Sequence, residues 1–159
     1  GIFSGILKDE NIPNKFKTKE VLKRALDDDS QWNAEWILSM KAESFPDAEE
    51  VKQSFLPYFL KEASHRSKVQ ILSEKNVSLK MKWFIATSMS GGHFDPGTSF
   101  DVFISPNIPI EIKRLTFFTI GFFAGKPDAS MYAAALFNEN VPTDIKERIK
   151  EALKNKISL

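Results

Sequence analysis

Charged residues and phenylalanines occupy different parts of this 159-residue sequence. Residues 1–76 carry more than half of the charged side chains, whereas residues 77–137 hold nine of the 14 phenylalanines. Charged residues in a helical pattern are typical of surface helices, and aromatic residues are enriched in strands. The distribution therefore predicts a charged helical first half, an apolar middle that contains β-structure, and a helical tail.

The middle of the chain alternates apolar and polar residues, which is the pattern of a half-buried strand. In NVSLKMKWFIATSM, every second residue from Val77 to Ile85 is apolar. TSFDVFIS repeats the pattern, with Phe100, Val102 and Ile104 on one side. The loop SGGHFDPG lies between the two segments, so an antiparallel pair is the predicted arrangement.

The segment NIPIEIKRLTFFTIGFFAGKP fits two structures. Ile108, Ile110 and Ile112 alternate like a strand, whereas the Asn and Pro before it and the Gly and Pro after it resemble helix start and stop signals. The β-branched and aromatic content favours a strand. The predicted class is α+β, with N-terminal helices, a small antiparallel sheet at about 77–124 and two C-terminal helices.

Helical patterns flank this middle region. SQWNAEWILSMKA predicts a helix capped by Ser30, and the stretch 47–75 predicts a helix interrupted at Pro57. PDASMYAAALFNEN and VPTDIKERIKEALKNK predict two more helices, the second capped by Thr143. No internal repeat is recognised, and we predict a single domain over 1–159 in which residues 1–8 form a flexible apolar arm.

Composition excludes several classes of protein. The 22 basic and 21 acidic residues nearly cancel, which disfavours nucleic-acid binding because such proteins usually carry a basic excess. The chain has no cysteine, so disulfides, thiolate nucleophiles and cysteine-based metal sites are excluded, and a cytoplasmic location is expected. The longest uncharged apolar run has eleven residues, fewer than the ~20 of a membrane-spanning helix, so no transmembrane segment is predicted.

The segment SGGHFDPGTSF, residues 90–100, combines glycines, a histidine, a turn and hydroxyls. Imidazole and carboxylate groups suit a divalent metal or acid–base catalysis, and paired glycines suit a phosphate. Against this, the chain has two histidines in all, and no H-x-x-x-H, G-x-S-x-G or P-loop motif. We expect a turn, assign no catalytic residue, metal or cofactor, and retain five loop-site candidates: Gly91, Gly92, His93, Asp95 and Asp101.

Without a catalytic motif, the sequence favours a non-enzymatic interaction or assembly protein that uses apolar aromatic surface to bind a partner or itself. The candidate surface residues are Ile2 and Phe3 near the start and Phe117 and Phe123 in the middle. A membrane surface, contacted peripherally, is retained as an alternative to a protein partner. Two alternatives remain, a carrier with a Phe-lined pocket for a small apolar ligand, and an enzyme that uses His93 with Asp95 or Asp101.

Overall fold

The structure, a computed structural model, describes residues 2–17, 20–21, 23–24, 30–41, 48–89, 96–120 and 129–154. Within these ranges every regular element is helical and no strand occurs. The described helices, besides a 3₁₀ turn at Asn14–Phe16, are α1 Ile2–Lys8, α2 Ser30–Ser39, α3 Ala48–Glu62, α4 His65–Leu72, α5 Leu79–Ser88, α6 Pro96–Ile104, α7 Ile110–Ile120, α8 Ala129–Phe137 and α9 Thr143–Lys154.

The prediction of an antiparallel sheet at about 77–124, and with it the α+β class, is wrong. The described part of that span forms α5, α6 and α7. In α5, Met81 and Ile85 are buried, whereas Leu79 and Trp83 are 49% and 48% exposed. Apolar residues at every second position thus lie on both faces of a helix, and burial follows a spacing of four instead of two.

The start of α5 is stabilised locally. Ser78 has extended backbone, and its hydroxyl accepts a hydrogen bond from the amide of Met81 at 3.2 Å. This bond satisfies one of the amides that have no partner in the first turn of a helix. Ser78 is therefore an N-cap, although the alternation predicted it to be a residue inside a strand.

The helices α6 and α7 correct the other two strand predictions. Val102 and Phe103 are both buried, and a strand would place these consecutive residues on opposite faces. In α7, Ile108 and Ile112 are buried while Ile110 is 51% exposed. The helix-start signals around Pro109 were therefore the informative ones, and the β-branched content was misleading.

The flanking helical predictions are confirmed for α2, α8 and α9. The stretch 47–75 also forms helix, but its break lies between α3 and α4, and Pro57 stands inside α3. Phe55 and Phe59 on either side of this proline are buried. The burial of these two rings stabilises the helix and offsets the cost of the backbone hydrogen bond that proline cannot make.

The chain divides into two compact units, Gly1–Ser64 with Lys75–Val77 and His65–Glu74 with Ser78–Leu159. In the first unit α2 packs on α3, and a cluster of buried side chains forms its core: Leu7, Ile37, Met40, Ala48, Val51 and Phe55. In the second unit the core cluster comprises Phe103, Ala135, Val141, Ile145 and Ile149. The prediction of one domain over 1–159 stays a prediction.

An internal repeat that the sequence prediction missed runs through this architecture. NVSLKMK at 76–82, NIPIEIK at 107–113 and NVPTDIK at 140–146 lead into α5, α7 and α9, about 31 to 33 residues apart. Equivalent residues have equivalent burial, with three buried sets: Val77, Ile108 and Val141; Met81, Ile112 and Ile145; Ile85, Thr116 and Ile149. Each repeat therefore comprises a turn and a helix, and the three helices bury equivalent positions.

Within the second unit, the helices pack as successive pairs. The helix α4 contacts α5 and α6, α5 contacts α7, α6 contacts α7 and α8, and α8 contacts α9. In helical repeat proteins each pair of helices likewise packs on the pairs beside it. The helices α5, α7 and α9 each follow one copy of the repeated segment.

A buried lysine and an asparagine link neighbouring elements in each unit. Lys113 donates to the carbonyl oxygen of Asn140 at 2.5 Å, and the Asn140 amide group donates to the carbonyl oxygen of Ile104, the last residue of α6, at 3.0 Å. In the first unit Lys52 donates to Met40 O and Asn76 O at 2.5 and 2.6 Å. We call these two arrangements the lysine–asparagine clamps.

The first unit's clamp is completed at the end of α2. The side-chain amide of Asn76 donates to the carbonyl oxygen of Ser39, the last residue of α2, at 3.1 Å. The last carbonyls of a helix have no partner within the helix, so in both units the clamp supplies donors where the backbone cannot.

Candidate functional site

The five loop-site candidates are only partly described. Gly91, Gly92, His93 and Asp95 lie outside the described residues, so their role stays a prediction. Asp101 lies in α6 and is exposed. In the part of the chain that the structure describes, no three His, Asp or Glu side chains are grouped so that they could hold a metal ion.

The four candidate surface residues lie in different environments. Ile2 is exposed on α1, whereas Phe3 packs against the first unit's core with the Arg24 guanidinium 5.4 Å from its ring centre. Phe117 packs against the second core, with its ring in edge contact with Phe103 at 6.4 Å. Phe123 lies outside the described residues. Of the three described residues, Ile2 alone presents most of its side chain to solvent.

A more extensive apolar surface lies on the repeated helices. Leu79 and Ile110 are the first residues of α5 and α7, and they occupy the same repeat position. Trp83 follows one turn after Leu79, and its ring makes an edge contact with the exposed Phe84 at 5.9 Å. Because α5 and α7 contact each other, these exposed apolar side chains lie on neighbouring helices.

An open groove continues this surface from α7 to α9. Its volume is about 610 Å³, and its lining includes Ile110 and Arg114 from α7, the turn before α9, and Thr143, Asp144 and Glu147 from α9. In the repeat, Thr143 corresponds to Leu79 and Ile110, and Glu147 corresponds to Trp83 and Arg114. We call the six equivalent residues the α5–α9 face: Leu79, Trp83, Ile110, Arg114, Thr143 and Glu147.

Charge changes along this face. Arg114 Nε lies 3.0 Å from Asp144 Oδ2, and Lys150 Nζ lies 3.1 Å from Glu147 Oε1. All four side chains are at least half exposed, so each pair adds little stability. Glu139 also lines the groove and makes no ion pair with a described residue.

A second cavity of about 150 Å³ opens beside the groove. Phe117 and Ile145 contribute its apolar lining, and Arg114, Asp144 and Arg148 its polar lining. Arg114 and Asp144 line both cavities, so their ion pair separates the groove from the smaller cavity. The polar groups of both cavities can orient a bound segment. Among the described lining residues, the Thr143 hydroxyl makes no hydrogen bond with the Asp144 or Glu147 carboxylate, as an activated nucleophile would.

Sequence reasoning missed this face because it assigned Leu79, Trp83 and Ile110 to the sheet. Their apolar character was read as burial in a strand, whereas each occupies the exposed side of a helix. The signal that could have found them is the repeated segment N-[VI]-[SP]-x-x-[IM]-K. Its fourth position is exposed in all three copies that precede α5, α7 and α9.

Lys82 is the last residue of the same repeated segment, and we expect its titration to make the free energy of unfolding depend on pH. Its side chain is buried, and its ammonium group forms no hydrogen bond with a described residue. Burial lowers the pKa of Lys82, while the Glu74 carboxylate opposes that change. A lysine whose folded-state pKa lies below the ordinary 10.5 adds stability as pH rises from the lowered value toward 10.5. Lys82→Met is therefore expected to reduce the rise in unfolding free energy that denaturation measures as pH increases toward 10.5.

The control for this experiment is Lys80→Met, because Lys80 is exposed on the same helix. Burial raises the pKa of Tyr132, which removes stability above its ordinary 10.0, and this contribution is the same in both variants. Equal pH slopes for the two variants would contradict a desolvated ammonium at Lys82.

The chain matches no protein-family model, and no curated protein or solved structure is significantly similar to it. Among the described residues, no helix is long and apolar enough to cross a membrane.

Proposed function

We propose that this chain is a non-enzymatic interaction protein of the helical-repeat class, and that its α5–α9 face binds a protein partner. The observation that carries the proposal is the position of Leu79, Trp83 and Ile110. These large apolar side chains are about half exposed on two helices in contact, beside an open groove. Contiguous apolar surface with a polar rim is typical of protein-binding sites.

The repeat supports this proposal. Helical repeat proteins stack equivalent helices so that one row of exposed positions forms an extended binding surface. Here that row begins with two aliphatic residues and a tryptophan, and tryptophan is among the residues that contribute most to binding energy at interfaces. Phe103 belongs to the second core and Phe100 packs against it, so neither residue is part of the α5–α9 face.

The proposal predicts that peptides selected for binding to the purified chain from a displayed random library bind through this face. Leu79→Ser and Trp83→Ala should each weaken the selected peptides by roughly tenfold or more, because each removes a central apolar contact. Dissociation constants measured by fluorescence anisotropy test this result, and far-UV circular dichroism confirms that the helices are retained.

Leu153→Ser is the matched control. Leu153 is 45% exposed on α9, close to the exposure of Leu79, but it does not line the groove. Its replacement should leave the affinity unchanged within about twofold. Peptides that bind Leu79→Ser and Trp83→Ala as tightly as the unmodified chain would refute the proposal.

A further inference from the structure

The two ends of the α5–α9 face differ in chemistry. The end on α5 presents Leu79 and Trp83, with Phe84 beside them, and Lys80 is the one exposed charged residue of this helix. The other end is the groove, whose lining contains one basic residue and three acidic residues: Arg114, Glu139, Asp144 and Glu147. The groove lining is therefore negative, while the α5 end is apolar.

The ion pairs decide how much of this negative charge is available to a ligand. Arg114 and Asp144 neutralise each other at 3.0 Å. Glu147 forms an exposed ion pair with Lys150, which does not line the groove, so the charge of Glu147 is only partly neutralised. Glu139 has no ion pair with a described residue. Glu139 is thus the main source of negative potential facing the groove, and Glu147 adds to it.

We infer that the segment bound by the face, given the proposed function, carries apolar anchors at one end and one or two lysine or arginine side chains at the other. The anchors lie against Leu79, Trp83 and Ile110, and the cationic end lies in the groove near Glu139 and Glu147. Complementary charge at a solvated rim adds modest affinity, and it fixes the orientation and selects between partners.

A second copy of this chain fits the face less well. A twofold axis through the face would superpose the apolar end of one copy on the acidic end of the other. Each acidic groove would then face the apolar side chains of Leu79 and Trp83, with Lys80 as the one exposed basic residue of α5. A membrane surface also fits less well, because anionic lipids repel an acidic groove. A basic, apolar peptide segment is the occupant that matches both ends.

The test uses three pools of synthetic amphipathic peptides that share randomised apolar anchor positions and differ at one terminus, which is Lys-Lys, Gln-Gln or Glu-Glu. The Lys-Lys pool should bind roughly tenfold more tightly than the Glu-Glu pool at low salt, with the Gln-Gln pool between them. This preference should shrink toward zero at about 1 M salt, where the Debye length is ~3 Å.

The chain supplies matched variants for the same measurement. Glu139→Lys combined with Glu147→Lys should reverse the order of the pools, because the groove becomes basic. Glu151→Lys is the control, since Glu151 is an exposed acid of α9 that does not line the groove. It should preserve the order of the pools.

The outcomes separate this inference from the proposed function. If all three pools bind equally and Trp83→Ala abolishes binding, the face binds peptides and the charge inference is wrong. If no pool binds in a way that depends on Trp83, the proposed function is wrong. Self-association of the chain, or binding to phosphatidylserine vesicles, that Trp83→Ala abolishes would overturn the basic peptide as the occupant.

Discussion

Replacement of Lys52 by alanine is expected to lower the free energy of unfolding by about 4 kcal/mol. The Lys52 side chain is completely buried, and its ammonium group donates to Met40 O and Asn76 O. The substitution removes three buried methylenes at ~0.8 kcal/mol each. It also leaves two carbonyls without this donor, and relief of the ammonium's desolvation offsets only part of the cost.

The measurement is chemical denaturation followed by far-UV circular dichroism, and two companion variants divide the effect. Lys52→Met keeps most of the side-chain volume, so its smaller loss of about 1–2 kcal/mol reports the hydrogen bonds. Lys61→Ala, at an exposed lysine of the same helix, should change stability by no more than about 0.5 kcal/mol. A Lys52→Ala variant as stable as Lys61→Ala would show that the clamp of the first unit does not form.

The second large effect is expected at Asn140, in the clamp of the second unit. Its side-chain amide donates to the last carbonyl of α6, and its own carbonyl accepts from the buried Lys113. Asn140→Ala removes the first bond directly and loosens the turn that positions the second. We expect a loss of about 2 kcal/mol, because a partly buried carbonyl is left without its donor.

Asn107 is the matched control because it occupies the same repeat position. Asn107 is exposed, and its side chain makes no hydrogen bond with a described residue. Asn107→Ala should therefore change the unfolding free energy by no more than about 0.5 kcal/mol. Equal losses for the two variants would mean that the cost reflects the asparagine in the turn itself and not the bond to α6.

Local signals predicted the helices at the two sides of the chain better than those in the middle. In VPTDIKERIKEALKNK, the apolar residues Ile145 and Ile149 are four apart and charged residues fill the other faces, so one period is visible. In NVSLKMKWFIATSM, apolar residues follow both a spacing of two and a spacing of four. A short segment with both periods does not distinguish strand from helix, and the neighbouring helices select the buried face.

The residues of the α5–α9 face were not predicted from the sequence. The sequence indicated apolar aromatic surface and no catalytic motif, and it placed that surface on Ile2, Phe3, Phe117 and Phe123. The structure instead buries part of Phe3 and Phe117 against the two cores, and it exposes Leu79, Trp83 and Ile110. Hydrophobicity alone does not determine burial, because a folded surface keeps many apolar atoms in contact with water.

The sequence by itself determined the properties that depend on composition and on local patterns. These are the absence of cysteine chemistry, the near-neutral charge, the helices with a single apolar period, and the repeated N-[VI]-[SP]-x-x-[IM]-K segment. Only the tertiary structure decided that the described part of the middle is helical, that Lys52 and Lys113 are buried donors, and that Leu79, Trp83 and Ile110 are exposed on two neighbouring helices. The physical reason is that the buried lysines find their hydrogen-bond acceptors 12 or more positions away in the chain, which a local pattern does not specify.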